Sequence, residues 1–291
     1  MNFTNGKELI ELCNKHNKKI YEVMLEKEVQ LSGLSIEEIR EKMGHSLEIM
    51  KAAVNNSLHE DVKSVSGLIG GEAKKINDRN KTHKSVCGPI MSKAISSAMG
   101  VLEVNAAMGR IVAAPTAGSC GIIPGTLITI QEEFELSDED IINALITASA
   151  VGMIITRNAT VAGAEGGCQA ETGSAAAMAA AAIVELMGGT PEASLDAASM
   201  CIKNILGLVC DPIAGLVEAP CQKRNAMGAA NALISAEIAL SGVTSIIPFD
   251  EVVETMYRVG RAIPFELRET ALGGLADTPT GKKIQKQILG E

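Results

Sequence analysis

Three cysteines stand where the helical pattern of this chain breaks. Cys168 follows Gly166-Gly167 and leads into a run from Thr172 to Val184 that carries no charge and is mostly Ala. Cys210 lies in Leu208-Val209-Cys210-Asp211-Pro212-Ile213-Ala214-Gly215, and Cys221 in Ala219-Pro220-Cys221-Gln222-Lys223-Arg224-Asn225. At a Gly or Pro interruption a side chain can turn into a cavity. Cys168 also heads a helix, whose N-terminal dipole favours a thiolate. Three thiolates turned onto one object would make a metal or iron–sulfur site that performs chemistry. Their separations of 42 and 11 residues match neither a Cys-x-x-Cys pair nor a ferredoxin run. Unpaired cysteine is among the most buried residue types, so three core thiols are the competing reading.

A second stretch, Ala114-Pro115-Thr116-Ala117-Gly118-Ser119-Cys120-Gly121, is a small-residue loop running into a helix start. Such a loop leaves N–H groups free, and a helix N-terminus favours an anion. Thr116, Ala117, Gly118 and Ser119 are therefore candidates for holding a substrate carboxylate; a helix-capping loop is the alternative. Lys93 is a candidate base or carboxylate partner, set against an ordinary charge near a helix start, because a lysine base needs a lowered pKa. No residue is otherwise assigned as the base. Glu165 and Glu171 flank Cys168 as supporting or capping groups. Arg157, Asn158, Lys223 and Arg224 are set to offset negative charge at the site, with the surface as the other reading for the last two. His16, His45, His59 and His83 show no metal-ligand spacing and read as surface residues. Cys13 reads as core, and Cys87, Cys120 and Cys201 as core or site-lining.

The elements that must position these groups read as helices. Strand alternation is missing, while caps, Ala-rich runs and glycine stops recur. The expected class is all-α, built around a buried Ala/Gly-rich helix near Ala170–Met187, which lacks a polar face. Residues 4–30 carry one apolar stripe. Ser35 and Glu38 form a capping box, as do Ser137 and Asp140. Further helices are expected over Ile90–Met108, Asp138–Ile155, Pro191–Leu206, Asn225–Leu240 and Asp250–Val259, the last two ended by Gly242 and Gly260, with a short charged helix from Gly281. The charged stretch Lys74–Lys84 reads as an exposed connection. It suggests an N-terminal helical cap over 1–85 and a main body over 86–291, joined as one continuous helical domain.

The totals narrow the possibilities. The chain is 46% hydrophobic and 21% charged, so it buries a core. Aromatics are 2% and Trp is absent, so Ala, Ile, Leu, Met and Val must build that core. A formal charge of -9 argues against nucleic acid. The thirteen-residue uncharged run from Thr172 to Val184 is too short for a membrane span of about 20 residues. Seven cysteines, an odd count, after a charged start without an apolar signal core fit free thiols in a reducing cytoplasm.

Five motifs together resemble the iron–sulfur L-serine dehydratases. They are Ala114–Gly121, Ala164–Gly173, Gly207–Gly215, Ala219–Asn225 and Arg268-Glu269-Thr270-Ala271-Leu272-Gly273-Gly274-Leu275-Ala276, in the family's order. The length matches the separate α chain of the two-subunit type. The resemblance implies a [4Fe–4S] cluster on Cys168, Cys210 and Cys221, with one iron open as a Lewis acid for the β-hydroxyl of L-serine, and no pyridoxal phosphate. Aminoacrylate would form, then pyruvate and ammonia. Single-chain relatives carry a C-terminal cysteine that can cover the open iron; this chain ends Ile288-Leu289-Gly290-Glu291. The family's small α/β domain is also missing, which implies a separate β subunit and a higher oligomer. A cysteine desulfidase of the same design is the alternative enzyme, and a helical scaffold with buried thiols the alternative without catalysis. A zinc hydrolase fits poorly, since no His or carboxylate accompanies the cysteines at usual spacing.

Overall fold

The computed structural model describes residues 1–290. Among them the chain forms thirteen α-helices and no strand, only one isolated bridge between Cys210 and Arg268. The helices are α1 (Gly6–His16), α2 (Ile20–Ser32), α3 (Ile36–His59), α4 (Glu72–Thr82), α5 (Pro89–Ala106), α6 (Ile122–Glu133), α7 (Asp138–Asn158), α8 (Gly163–Gly166), α9 (Ser174–Leu186), α10 (Pro191–Lys203), α11 (Cys221–Leu240), α12 (Phe249–Ala262) and α13 (Pro279–Leu289). The all-α expectation holds.

The centre is α9. Every residue from Ser174 to Glu185 is buried. Its alanines have almost no side-chain bulk, so α6, α7, α10 and α11 pack directly around it. A helix without a polar face can exist only under such cover. Cys168 and a π-helical turn over Gln169–Gly173 lead straight into α9, so the first thiol is mounted on the most enclosed element of the fold. Single π turns of this kind recur at functional sites.

Buried carboxylates fasten the N-terminal helices to this centre. Glu185, near the end of α9, accepts the Ile20 N–H at 2.5 Å and the Tyr21 N–H at 3.2 Å, and also the Thr147 hydroxyl. It thereby caps α2 from another helix. Glu103 on α5 does the same for α4, accepting from Gly71 N–H and Ala73 N–H at 3.0 Å each, and from the Gln222 amide at 2.6 Å. The hydrophobic core runs without a break from Phe3 to Met256, across the junction near residue 85.

Several local expectations need correction. The stripe over 4–30 is two helices, because Asn17 turns left-handed with φ 49° and ends α1. Lys74–Thr82 is helical, capped by the buried Glu103 that polarity alone did not reveal. Gly260 does not end α12; it lies inside it, where a Cβ would stand 2.7 Å from the Gly166 Cα, so it lets α12 press against α8 beside Cys168. Cys87 is exposed and belongs to neither core nor site. The capping boxes at Ser35 and Ser137 form as expected. Helix α7 is long and apolar enough to cross a membrane, but 61% of its most apolar window is buried inside the fold.

Candidate functional site

Cys168, Cys210 and Cys221 come from three different elements and are 4%, 3% and 7% exposed. Cys168 opens the π turn, which is fixed to the next segment by Gln169. The Gln169 N–H donates to the Leu208 carbonyl at 3.0 Å, and its side-chain carbonyl accepts the Gly207 N–H at 2.9 Å. Cys210 sits on an extended piece paired with the segment after α12. Its N–H donates to the Leu267 carbonyl at 2.8 Å, and its carbonyl accepts the Glu269 N–H at 2.7 Å. Cys221 is the first residue of α11. The motif Arg268–Ala276 therefore serves as the brace of the second cysteine.

The three sulfurs feel one another. Burial pushes the Cys221 thiol up to about 12, and the Cys168 charge adds to it. Burial also drives Cys210 far above the usual thiol range, helped by Cys168, Glu171, Glu269 and Cys221. Cys168 is raised by burial but pulled back by Arg224 and by the Thr172 hydroxyl at 3.2 Å. Without a bound cation the trio is thus protonated at neutral pH. Among the described residues no three His, Cys, Asp or Glu side chains stand close enough together to share one metal ion.

Glu171 lies on the π turn at the middle of this group. One of its carboxylate oxygens is 3.9 Å from the Cys210 sulfur, and the other accepts the Thr116 hydroxyl at 2.7 Å. Burial raises its pKa, and Glu269 raises it further against the Thr116 bond. The carboxylate fits because two neighbours lack side chains. A Cβ on Gly163 would stand 2.7 Å from Glu171 Oε2 and 3.1 Å from Cys210 Sγ, and one on Gly118 would stand 3.0 Å from Glu171 Oε1.

The loop over Thr116–Ser119 is brought to the cysteines. Ala117–Ser119 forms a single 3-10 turn ahead of α6, and the Thr116 and Ser119 hydroxyls are 3.1 Å apart. Asn225, fully buried one turn into α11, locks it there. Its side-chain oxygen accepts the Gly121 N–H at 2.9 Å, while its NH2 donates to the Gly118 carbonyl at 2.8 Å and to the Cys221 carbonyl at 2.9 Å. Cys120 is buried nearby, pushed up to about 12 by burial with the Cys221 charge adding.

Other candidates fall elsewhere. Lys93 pairs with Glu132 in a separate cavity of about 590 Å³ lined by Lys51, His59 and Gln131, with none of the cysteines. Arg157, Asn158, Glu165 and Lys223 are exposed. Arg224 is the exception among the cations: it donates to the Val209 carbonyl at 2.8 Å and to Asp211 Oδ1 at 2.7 Å, inside the cysteine group. Glu171 as a hub, Asn225 as a lock, and Asp211 and Glu269 were not singled out from the sequence. One signal was available: with Pro220 read as a cap, α11 starts at Cys221, and Arg224 and Asn225 then share its face three and four residues on.

Comparison with known proteins identifies the family. Residues 15–276 match the family model described as "Serine dehydratase alpha chain". The chain is 51% identical over 288 residues to the probable L-serine dehydratase alpha chain of Bacillus subtilis (strain 168), covering 99% of this chain and 96% of that one. It is 49% identical over 286 residues to the L-serine dehydratase alpha chain of Peptoniphilus asaccharolyticus, covering 98% of each. It is 34% identical to L-serine dehydratase 1 of Escherichia coli (strain K12), covering 94% of this chain but 61% of that longer one. The chain belongs to the serine dehydratase alpha chain family.

Proposed function

We propose that this chain is the α subunit of an L-serine dehydratase and that Cys168, Cys210 and Cys221 hold a [4Fe–4S] cluster at its active site. The observation that carries the reading is the gathering of three buried thiols from three elements around Glu171 and Arg224. The donor set fits the cluster: thiolates are its usual ligands, and the side-chain-free Gly163 leaves room beside Cys210. Bound there, the cluster supplies a Lewis acid for the departing β-hydroxyl.

The chain's own residues do the rest of the positioning. The Thr116–Ser119 loop and the start of α6 orient the substrate carboxylate, as backbone N–H groups at a helix start favour an anion. Asn225 keeps that loop in fixed register with Cys221. Arg224 offsets the negative charge of thiolates and carboxylates. The low exposure of the cysteines limits water around the reacting carbons. Loss of the Cα proton and the β-hydroxyl leaves aminoacrylate, which tautomerises to the imine and hydrolyses to pyruvate and ammonium. A β chain completes the site, in line with the longer single-chain relative and the α-chain names of the others. The assembly works in a reducing cytoplasm.

The test is turnover by anaerobically prepared protein with its β chain. Pyruvate and ammonium from L-serine support the reading. Sulfide from L-cysteine with no turnover of L-serine overturns it in favour of a desulfidase.

A further inference from the structure

Arg224 stands three residues beyond Cys221 on α11, with its side chain 14% exposed. Its Nη1 donates to the Val209 carbonyl at 2.8 Å and its Nη2 to Asp211 Oδ1 at 2.7 Å. Val209 and Asp211 are the two neighbours of Cys210. The positive charge of the guanidinium also draws down the pKa of the Cys168 thiol. One side chain on the helix of the third cysteine thus grips both flanks of the second.

The grip is itself fixed. The other carboxylate oxygen of Asp211 accepts the Leu275 N–H at 2.7 Å, which ties Arg224 through Asp211 to the segment bracing Cys210. A planar fork serves this arrangement, since a guanidinium reaches two acceptors in fixed directions and a lysine ammonium does not. The electrostatic setting gives the cation work to do. Glu171, Glu269 and Asp211 all add negative charge around the thiols. Burial disfavours the charge on Arg224, but Cys168 and Asp211 more than restore it.

We propose that Arg224 is the positioning residue that sets the placement of Cys210 against Cys221, and that its charge beside the cysteines holds the loaded cluster at a more positive reduction potential. This rests on the cluster reading above. Hydrogen bonds and positive charge at the sulfurs stabilise the more negative, reduced form of a cluster, so their removal lowers its potential.

The experiment is an anaerobic redox titration, followed by electron paramagnetic resonance, of holoenzyme reconstituted with iron and sulfide. Wild type, Arg224→Gln and Arg224→Lys are compared at matched iron content. Arg224→Gln is expected to shift the reduction equilibrium at least tenfold toward the oxidised form, about 59 mV negative for a one-electron couple. Arg224→Lys, which keeps the charge without the fork, shifts the same way by less. A potential equal to wild type in a fully loaded Arg224→Gln protein overturns the proposal. If Arg224→Gln does not retain the cluster, the lysine variant decides: a negative shift supports the proposal and an unchanged potential overturns it. A wild-type chain that takes up no iron and sulfide overturns the cluster reading itself, and the Arg224 role with it.

Discussion

The Thr116 hydroxyl donates to Glu171 at 2.7 Å, joining the loop before α6 to the turn that carries Cys168. The two residues are 55 apart in sequence. Each end of the bond is held by other bonds, so the candidate substrate loop and the cysteine group form one rigid unit.

Thr116→Val keeps the shape of the side chain but leaves the buried Glu171 carboxylate short of a donor. An unsatisfied buried group costs about 1–3 kcal/mol. Thermal unfolding is expected at lower temperature, and the KM for L-serine is expected to rise as the loop loosens. A wild-type melting curve and KM would show that the bond holds nothing.

Asn225→Asp removes the two donated bonds, to Gly118 and Cys221, and adds a buried charge. The expected result is a loss of kcat/KM of about tenfold to a hundredfold, with iron content near wild type, as for residues that support a metal site without ligating it. Loss of iron equal to that of a cysteine variant would make Asn225 a structural part of the cluster site and not a support of the loop.

The cluster-free chain should lose stability in alkali. Burial pushes Cys201 and Cys221 up to about 12, whereas thiols in the unfolded chain ionise near ~8.5. Their folded pKa is the higher one, so their contribution is complete below about pH 8.5 and is lost as pH rises toward about 12. Each such thiol contributes a slope of about 1.4 kcal/mol per pH unit within that window. Urea unfolding at pH 7.5 and pH 10 measures the slope, and Cys201→Ala should flatten it. The same pH dependence with and without Cys201 would contradict the account.

The sequence pointed to the three cysteines but not to most of the residues packed around them. Cys168, Cys210 and Cys221 stood out because each marks a Gly or Pro break. The buried α9 was visible because an uncharged Ala run has no other place to go. The roles of Glu103 and Glu185 were not legible, and Glu171 was named only as a flank of Cys168, because each carboxylate serves donors far away in sequence, and only the packed fold shows which. Arg224 was left between the site and the surface for the same reason: its partners Val209 and Asp211 come from another segment. Lys93 looked available for chemistry until the fold placed it against Glu132 in a different cavity.

Glu185→Leu tests the fold apart from the chemistry. It removes the cap of α2 and strands the Ile20 and Tyr21 N–H groups and the Thr147 hydroxyl. The expected loss is about 3 kcal/mol or more, read as a shift in the urea midpoint. A shift below 1 kcal/mol would mean that water replaces the carboxylate and that the cap matters little.

The central claim is most directly tested by iron and acid-labile sulfide analysis of protein purified without oxygen. Wild type should be brown and carry about four irons and four sulfides per chain. Cys168→Ser, Cys210→Ser and Cys221→Ser should each lose them, and Cys13→Ser and Cys201→Ser should keep them. Equal iron in all five variants, or a colourless wild type that reconstitution does not change, would contradict the assignment and leave the three cysteines as core residues.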